Sequence, residues 1–153
     1  MLDKVERQEI IALINREVIP ALGCTEPVAV ALATAKSREI LGEVPEKVEV
    51  FVSNNICKNG MGVGIPGTGM VGLPIAAALG AVCGNSEDGL EVLKQVNDEN
   101  LKAARRMVDE KMVEIKVKDG TDKLYIESIC KAKDHICRTI ISHRHTNIIY
   151  VEK

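Results

Sequence analysis

Aromatic residues are almost absent from this chain, and that scarcity constrains its core more than any other feature of the sequence. Only Phe51, Tyr125 and Tyr150 occur, although 46% of the residues are hydrophobic. The core must therefore be built from Val, Ile, Leu and Ala, and the length suits a single domain, residues 1–153. With so few aromatic side chains for base stacking, and a net charge of −2, no nucleic-acid partner is expected.

No targeting or membrane segment is predicted. Residues 1–9 are charged and lack the apolar region of a secretory signal. The most apolar stretch, residues 70–83, is broken by Gly72, Pro74 and Gly80, and it is shorter than the roughly 20 residues that a membrane span needs. We therefore expect a cytoplasmic protein with no membrane partner. The five cysteines form no CxxC pair, which argues against a disulfide framework and a local zinc site.

Helices are predicted in the first two thirds of the chain. Residues 3–19 have the periodicity of an amphipathic helix, which Pro20 would stop. A second helix, about residues 26–41, would be capped by Thr25, ended by Gly42 and buried on most sides. Further helices are expected at about 70–82, through residue 94 after a Ser86 cap, and through about residue 111 after a cap at Asn97 or Asp98.

Strands are predicted mainly in the C-terminal part. Apolar and polar residues alternate at 48–53 and at 113–118, and strand-like runs follow at 124–130, 136–142 and 147–151. The last four runs have the order of a β-meander. The predicted fold is therefore α+β, with a mainly antiparallel sheet packed against several helices.

Cys24 is the first candidate for chemistry. It stands directly before a predicted helix, where the unpaired N–H groups and the helix dipole favour an anion and would lower the pKa of a thiol. A thiolate there could bind a metal ion or attack carbon. The alternative is a small buried cysteine that serves only packing.

The second candidate is the glycine-rich stretch 54–69, predicted as a long loop. It contains the spacing Gly62-x-Gly64-x-x-Gly67, but a dinucleotide site is disfavoured because no parallel βαβ context surrounds it. The backbone N–H groups of Gly67, Thr68 and Gly69 could instead hold a carboxylate or phosphate at a helix start. Lys58 and Asn59 would add a charge and a hydrogen bond, unless the stretch is an ordinary connector.

Histidines form the third candidate. His143 and His145 are two residues apart and would share one face of a strand. Without a neighbouring carboxylate or cysteine in the sequence they are a weak metal signal, and surface histidines at a strand end are the alternative. Cys130 and Cys137 would be reduced cross-strand neighbours.

Three segments together resemble the L-cysteine desulfidase family, which is related to iron–sulfur L-serine dehydratases. They are residues 19–27, which include Gly23-Cys24-Thr25-Glu26-Pro27, residues 58–80, and His145-Thr146-Asn147-Ile148. The resemblance covers nearly the whole chain. It implies the N-terminal part of a longer enzyme, whose helical C-terminal region is absent or is supplied by a separate chain.

The resemblance further implies a reaction and a cofactor. L-cysteine would be converted to pyruvate, ammonia and sulfide on a [4Fe–4S] cluster whose open iron acts as a Lewis acid. Cys24 would be one cluster ligand, and Glu26, Lys58 and His145 are candidates for proton transfer. The substrate, L-cysteine or a related small amino acid, would be contacted by six residues: Thr25, Asn59, Gly67, Thr68, Gly69 and Asn147.

One matching cysteine cannot hold a cluster that needs several thiolates. We therefore expect the isolated chain to hold no intact cluster and to be inactive alone. Two other hypotheses stay open from the sequence. The chain could be a binding module for a small anion or amino acid, or a non-catalytic partner of an L-serine dehydratase-like chain. Self-association into a homo-oligomer is a further expectation.

Overall fold

The computed structural model describes residues 3–18 and 23–153. Its elements, in chain order, are α1 (Lys4–Glu17), α2 (Thr25–Leu41), β1 (Lys47–Val52), α3 (Asn54–Gly60), β2 (Gly64–Ile65), β3 (Met70–Val71), α4 (Leu73–Cys83), a 3₁₀ turn (Ser86–Glu91), α5 (Asp98–Asp109), β4 (Val113–Val117), β5 (Tyr125–Ala132), β6 (His135–Ser142) and β7 (Ile148–Glu152). The predicted α+β class is confirmed. None of the helices in these ranges is long and apolar enough to cross a membrane.

The main sheet has five strands in the order β4-β1-β5-β6-β7. The meander prediction is right for β5, β6 and β7, which pair antiparallel, but wrong for β4, which runs parallel to β1. The physical reason is burial. Val48, Val50 and Val52 of β1 are fully buried, so β1 takes an interior place between β4 and β5. The charged residues that alternate along β4 suit an edge strand.

Helices α2 and α4 form the core against one face of this sheet. Residues 27–35 of α2 and 75–81 of α4 are buried, as their small apolar side chains predict. The two helices approach so closely that a Cβ atom on Gly80 would lie 2.3 Å from the carbonyl oxygen of Ala31. Small residues therefore bring α2 against α4 and fix the position of the α2 N-terminus.

A polar seam joins α2 to the sheet. The hydroxyl of Ser37 donates to the carbonyl of Ser128 at 3.0 Å and lies 2.9 Å from the hydroxyl of Thr139, and the hydroxyls of Thr34 and Ser128 are 3.0 Å apart. All four residues are fully buried, and buried polar groups need such partners. The seam sets the rotation of α2 on the sheet.

The glycine-rich stretch 54–69 is not the long loop that the sequence predicts. Ser53 caps α3 by accepting from the N–H of Ile56, and a hairpin of β2 and β3 follows. The buried Thr68 hydroxyl donates to the carbonyl of Ile65 at 2.6 Å and accepts from the N–H of Met70 at 3.0 Å. Local hydrogen bonds therefore give this stretch a structure of its own.

Several predicted helix boundaries shift. Cys24 occupies the N-cap position of α2, but its side chain makes no capping hydrogen bond to a backbone N–H group, and Thr25 is already helical. Asn85, rather than Ser86, caps the 3₁₀ turn. Asn97 caps α5 as predicted. Gly42 ends α2 as predicted, at a left-handed φ of 86°, while Pro20 lies outside the described residues.

Helix α1 contributes nothing to the core. An Asp3–Glu6 capping box begins it, and none of its described residues is buried. Its apolar residues are exposed, including Ile10, Leu13 and Ile14. The predicted helix is therefore present, but its apolar residues have no cover among the described residues.

Candidate functional site

Two polar side chains meet at the N-terminus of α2. The Cys24 thiol donates to Oε2 of Glu26 at an Sγ–Oε2 distance of 2.9 Å, and the Thr25 hydroxyl lies 3.4 Å from the same oxygen. Cys24 is exposed, which rules out the packing cysteine of the sequence analysis. The Glu26 side chain is only 17% exposed. The helix start therefore presents a thiol that orients a largely shielded carboxylate.

The pKa of the Cys24 thiol is raised, contrary to the sequence prediction. Its hydrogen bond to Glu26 is the largest cause, and partial burial and the carboxylate charge act in the same direction. Backbone N–H groups of residues 25 and 26 favour the thiolate, but they are outweighed. The same hydrogen bond from Cys24 lowers the pKa of Glu26, with help from His145. At neutral pH the pair is therefore a thiol and a carboxylate.

His145 approaches the other oxygen of this carboxylate. Its Nε2 lies 3.7 Å from Oε1 of Glu26, and its side chain is 30% exposed. This is an ion-pair distance and longer than a direct hydrogen bond. Nε2 is therefore the ring nitrogen nearer to Glu26, and within the described residues Nδ1 makes no hydrogen bond. Cys24, Glu26 and His145 are hereafter the acid–base cluster.

The two histidines do not share a strand face, contrary to the prediction. Both lie in the turn between β6 and β7, where His143 has a φ of 72°. Nδ1 of His143 faces Oδ2 of Asp122 at 3.4 Å. Within this turn, His143 therefore faces Asp122 and His145 faces Glu26, so that only His145 belongs to the acid–base cluster.

A cavity of about 420 Å³ adjoins the acid–base cluster. It is bounded by the end of α1, the start of α2, the segment before β5 and the β6–β7 turn. Its lining is mostly polar or charged, with two leucines: Arg16, Glu17, Thr25, Leu90, Leu124, His143, Arg144, His145 and Thr146. Since His145 lines this cavity and Glu26 lies behind it, a small molecule there would meet the imidazole first.

The glycine-rich stretch supports the site from the other side. Gly23 has a φ of 84°, and a Cβ atom there would lie 2.6 Å from Cγ of Pro66, so only glycine fits before Cys24. A Cβ atom on Gly60, the last residue of α3, would lie 3.5 Å from Cβ of Glu26. Residues 23–26 and the glycine-rich stretch therefore lie close together in the fold.

The remaining predicted substrate contacts are spread out. The hydroxyl of Thr68 is committed to its own turn, and Nδ2 of Asn147 donates to the carbonyl of Ser142 at 3.0 Å. Gly67 and Gly69 are exposed with positive φ. Apart from Thr25, none of the predicted contacts lines the cavity.

Lys58 and Asn59 lie on the last turn of α3 and are exposed. Within the described ranges, neither side chain makes an ion pair or hydrogen bond with Glu26 or His145. The proposed roles of Lys58 in proton transfer and of Asn59 in binding stay untested predictions.

The cysteines do not form the donor set that a cluster requires. In the part of the chain that the structure describes, no three His, Cys, Asp or Glu side chains converge where they could hold a metal ion. Cys130 and Cys137 are cross-strand partners as predicted, and both are buried and free. Burial raises the pKa of Cys130 to about 12. The residues present do not fit a [4Fe–4S] cluster, and Cys24 as a metal ligand stays a prediction.

Comparison with known proteins corrects the family resemblance. No protein-family model matches the chain. It is 60% identical over 152 residues to a UPF0597 protein of Parabacteroides distasonis. This match covers 99% of the chain and 35% of the relative. UPF0597 proteins of Bacteroides fragilis (57% identical; 97% of this chain, 35% of the relative) and Aeromonas hydrophila (48%; 98% and 34%) are also similar. The chain thus spans about a third of the length of these relatives.

These relatives carry the UPF0597 name and no name of a desulfidase, a lyase or an iron–sulfur protein. The assignment to the L-cysteine desulfidases was therefore wrong. The activity and the serine dehydratase kinship drawn from it lose their support. The geometry at residues 24–26 and 145 stands independently of that resemblance.

Sequence reasoning missed most of the cavity lining. Leu90, Leu124 and Arg144 carry no motif, and Arg16 belongs to a helix whose pattern indicates only amphipathicity. The one available signal was that His145 lies within a polar turn between two strands, where functional side chains are common. The lining residues come together only when segments that are distant in the sequence pack against one another, which local sequence patterns do not record.

Proposed function

We propose that this chain carries a general acid–base site that moves a proton on a small molecule bound beside His145. The supporting observation is the pairing of the cavity-lining imidazole with an ionised, largely shielded carboxylate at 3.7 Å. A carboxylate behind an imidazole holds the ring in one orientation and stabilises the imidazolium that forms when the ring accepts a proton.

Each member of the acid–base cluster has a distinct role. His145 takes a proton from, or returns it to, the bound molecule through Nδ1. Glu26 stabilises the charge that this creates on the ring. Cys24 is a positioning residue, because its thiol holds Oε2 and thereby directs Oε1 towards His145.

The test is hydrogen exchange at carbon, followed by proton NMR in D₂O. The full chain is incubated with short-chain 2-oxo, 2-hydroxy and 2-amino acids, and the loss of the signal next to the carbonyl or carboxylate is timed. We expect at least one compound to exchange faster than in buffer, because a positioned general base accelerates proton removal by a factor of about 10² to 10⁴.

Three variants make the result specific. His145→Gln and Glu26→Gln should reduce the exchange rate towards that of buffer. His135→Gln is the matched control, because His135 is exposed at the start of β6 and does not line the cavity. Exchange that survives in H145Q, or no protein-dependent exchange with any compound, would contradict the proposal.

A further inference from the structure

The cavity beside His145 has one cationic group that the described residues do not neutralise. Nε of Arg16 is bound to Oε1 of Glu17 at 2.9 Å, so these two lining charges cancel. Arg144 also lines the cavity, and it forms no ion pair within residues 3–18 and 23–153. The guanidinium offers a planar set of donors that matches an oxyanion.

A second source of positive potential belongs to the same cavity lining. Thr25 lines the cavity and is the first helical residue of α2. The N-terminus of a helix carries a partial positive charge that favours anions. The hydroxyl groups of Thr25 and Thr146 supply further hydrogen-bonding capacity at the same place.

The carboxylates around the cavity are all engaged. Glu17 pairs with Arg16, Glu26 accepts from Cys24 and faces His145, and Asp122 accepts from Ser142 and faces His143. The donors to Glu26 and Asp122 are neutral groups, so both carboxylates can stay charged, but neither lines the cavity. A ligand ammonium group would therefore meet only the paired carboxylate of Glu17 in the described lining. It would also meet the field of Arg144, which repels it.

The apolar part of the lining is small. Leu90 is 6% exposed and, together with Leu124, gives the cavity an aliphatic surface beside the charged groups. A volume of about 420 Å³ lies near the lower end of the usual range for small-molecule sites, about 300–1,000 Å³. The ligand that fits has a charged end and a short aliphatic body.

We infer that the cavity selects small organic oxyanions that carry no ammonium group, and that Arg144 is the residue that holds the oxyanion. This inference rests on the proposed function, since it names the substrate class of the same site. It departs from the amino acid that the sequence led us to expect. A carboxylate and a phosphate monoester share the recognised chemistry.

Matched probes test the charge rule. Binding of 2-hydroxybutyrate, L-2-aminobutyrate, butyramide and n-propyl phosphate to the full chain is followed by calorimetry and by amide NMR shifts. The first two probes differ only in hydroxyl against ammonium. We expect 2-hydroxybutyrate to bind about tenfold more tightly than 2-aminobutyrate, with shifts at Thr25 and Thr146, and butyramide not to compete. Comparing the affinities of n-propyl phosphate and 2-hydroxybutyrate shows whether the site prefers a phosphate or a carboxylate.

Variants assign the binding to Arg144. Arg144→Gln should weaken 2-hydroxybutyrate binding about tenfold or more, and Arg144→Lys should weaken it less, because the charge stays but the fork of donors is lost. Arg106→Gln is the matched control, since Arg106 pairs with Glu110 on the exposed side of α5. Amide spectra verify that each variant is folded.

The outcomes separate this inference from the proposed function. Equal or tighter binding of 2-aminobutyrate, no binding of either oxyanion, or the same loss in R106Q as in R144Q would overturn the inference, whatever His145 does. If the oxyanion binds through Arg144 while no proton exchange occurs, the inference stands and the proposed function fails.

Discussion

At the scale of single residues, the hydrogen bond between Cys24 and Glu26 decides the chemistry of the helix start. The helix N-terminus by itself would favour a thiolate, and a neighbouring carboxylate reverses that preference. The consequence is that Cys24 is an unreactive thiol at neutral pH and Glu26 an ionised base. Both properties depend on one contact, so one substitution should change both.

Glu26→Gln should make Cys24 more reactive. Removing the carboxylate removes the largest cause of the raised thiol pKa, so more thiolate is present at about pH 8, near the ordinary thiol range. We expect the alkylation of Cys24 by iodoacetamide to be several-fold faster, as measured by peptide mass spectrometry over a pH series. Cys83, whose pKa is raised by burial, should react at an unchanged rate. An unchanged pH profile for the alkylation of Cys24 would contradict the conclusion that the hydrogen bond to Glu26 raises the thiol pKa.

Glu127 lies on the face of the sheet opposite α2 and α4, and hydrogen bonds again determine the pKa of a largely buried carboxyl group. Burial works to raise the pKa of this carboxyl, but the hydrogen bonds from Lys118 and Tyr125 and the charges of Lys118 and Arg138 outweigh it, so the pKa is lowered. Lys118 and Tyr125 both lie within 3.0 Å of Oε1. The ionised carboxylate of Glu127 therefore stabilises the folded state.

Glu127→Gln should destabilise the fold in a pH-dependent way. A lowered folded pKa contributes stability above the ordinary value of 4.5, and this stability is lost as pH falls through the folded pKa. We expect the variant to lose about 1–3 kcal/mol near neutral pH and the difference to shrink below about pH 4. Urea unfolding at both pH values measures it. A difference that stays constant with pH would mean that shape, not charge, is responsible.

At the scale of elements, the buried hydroxyl seam between α2 and the sheet makes a testable pair. Ser37→Ala should lower the free energy of unfolding by about 1–3 kcal/mol. The buried carbonyl of Ser128 would lose its hydrogen-bond donor, and the hydroxyl of Thr139 would lose a hydrogen-bond partner. Thr139→Val in the same chain should recover part of the loss, since removing both polar partners is less costly than removing one. A double-mutant cycle in urea measures the coupling, and strictly additive losses would show that the contact carries no energy.

The approach of α2 to α4 depends on Gly80. A Cβ atom there would meet backbone atoms of Ala31, the nearest at 2.3 Å, and backbone cannot rotate away. Gly80→Ala should therefore destabilise by about 3 kcal/mol or more. Gly62→Ala is the matched control, because a Cβ atom at Gly62 meets nothing within 4 Å. Chemical denaturation of both variants tests this, and equal midpoints would contradict the packing argument.

The sequence predicts elements better than it predicts their neighbours. The valine alternation at 48–52 and the small-residue run at 28–35 identify β1 and α2, because local periodicity records burial. It does not record that β4 lies beside β1 rather than β5, since register over a long crossover depends on tertiary packing. The same limit hides the meeting of Glu26 with His145, which are brought together only by the folded sheet.

At the scale of the whole molecule, α1 is the exception to a compact arrangement. It spans 14 residues with no buried residue, and isolated helices shorter than about 12–15 residues are marginal in water. Val5, Ile11 and Ile14 are among its exposed apolar residues. The chain spans about a third of the length of its relatives.

Hydrogen exchange should therefore divide the chain into two parts. Amides of α1 should exchange many-fold faster than those of α2, because α1 can open without exposing any buried apolar surface. Helix α5 is the matched control: it has 12 residues and a mostly exposed surface, but it buries Ala104 and Met107, so its amides should be protected. Peptide-resolved mass spectrometry on the full chain measures all three helices at once. Protection of α1 equal to that of α5 would show that its apolar side is covered in solution, and adding protein concentration as a variable would then reveal whether a second copy covers it.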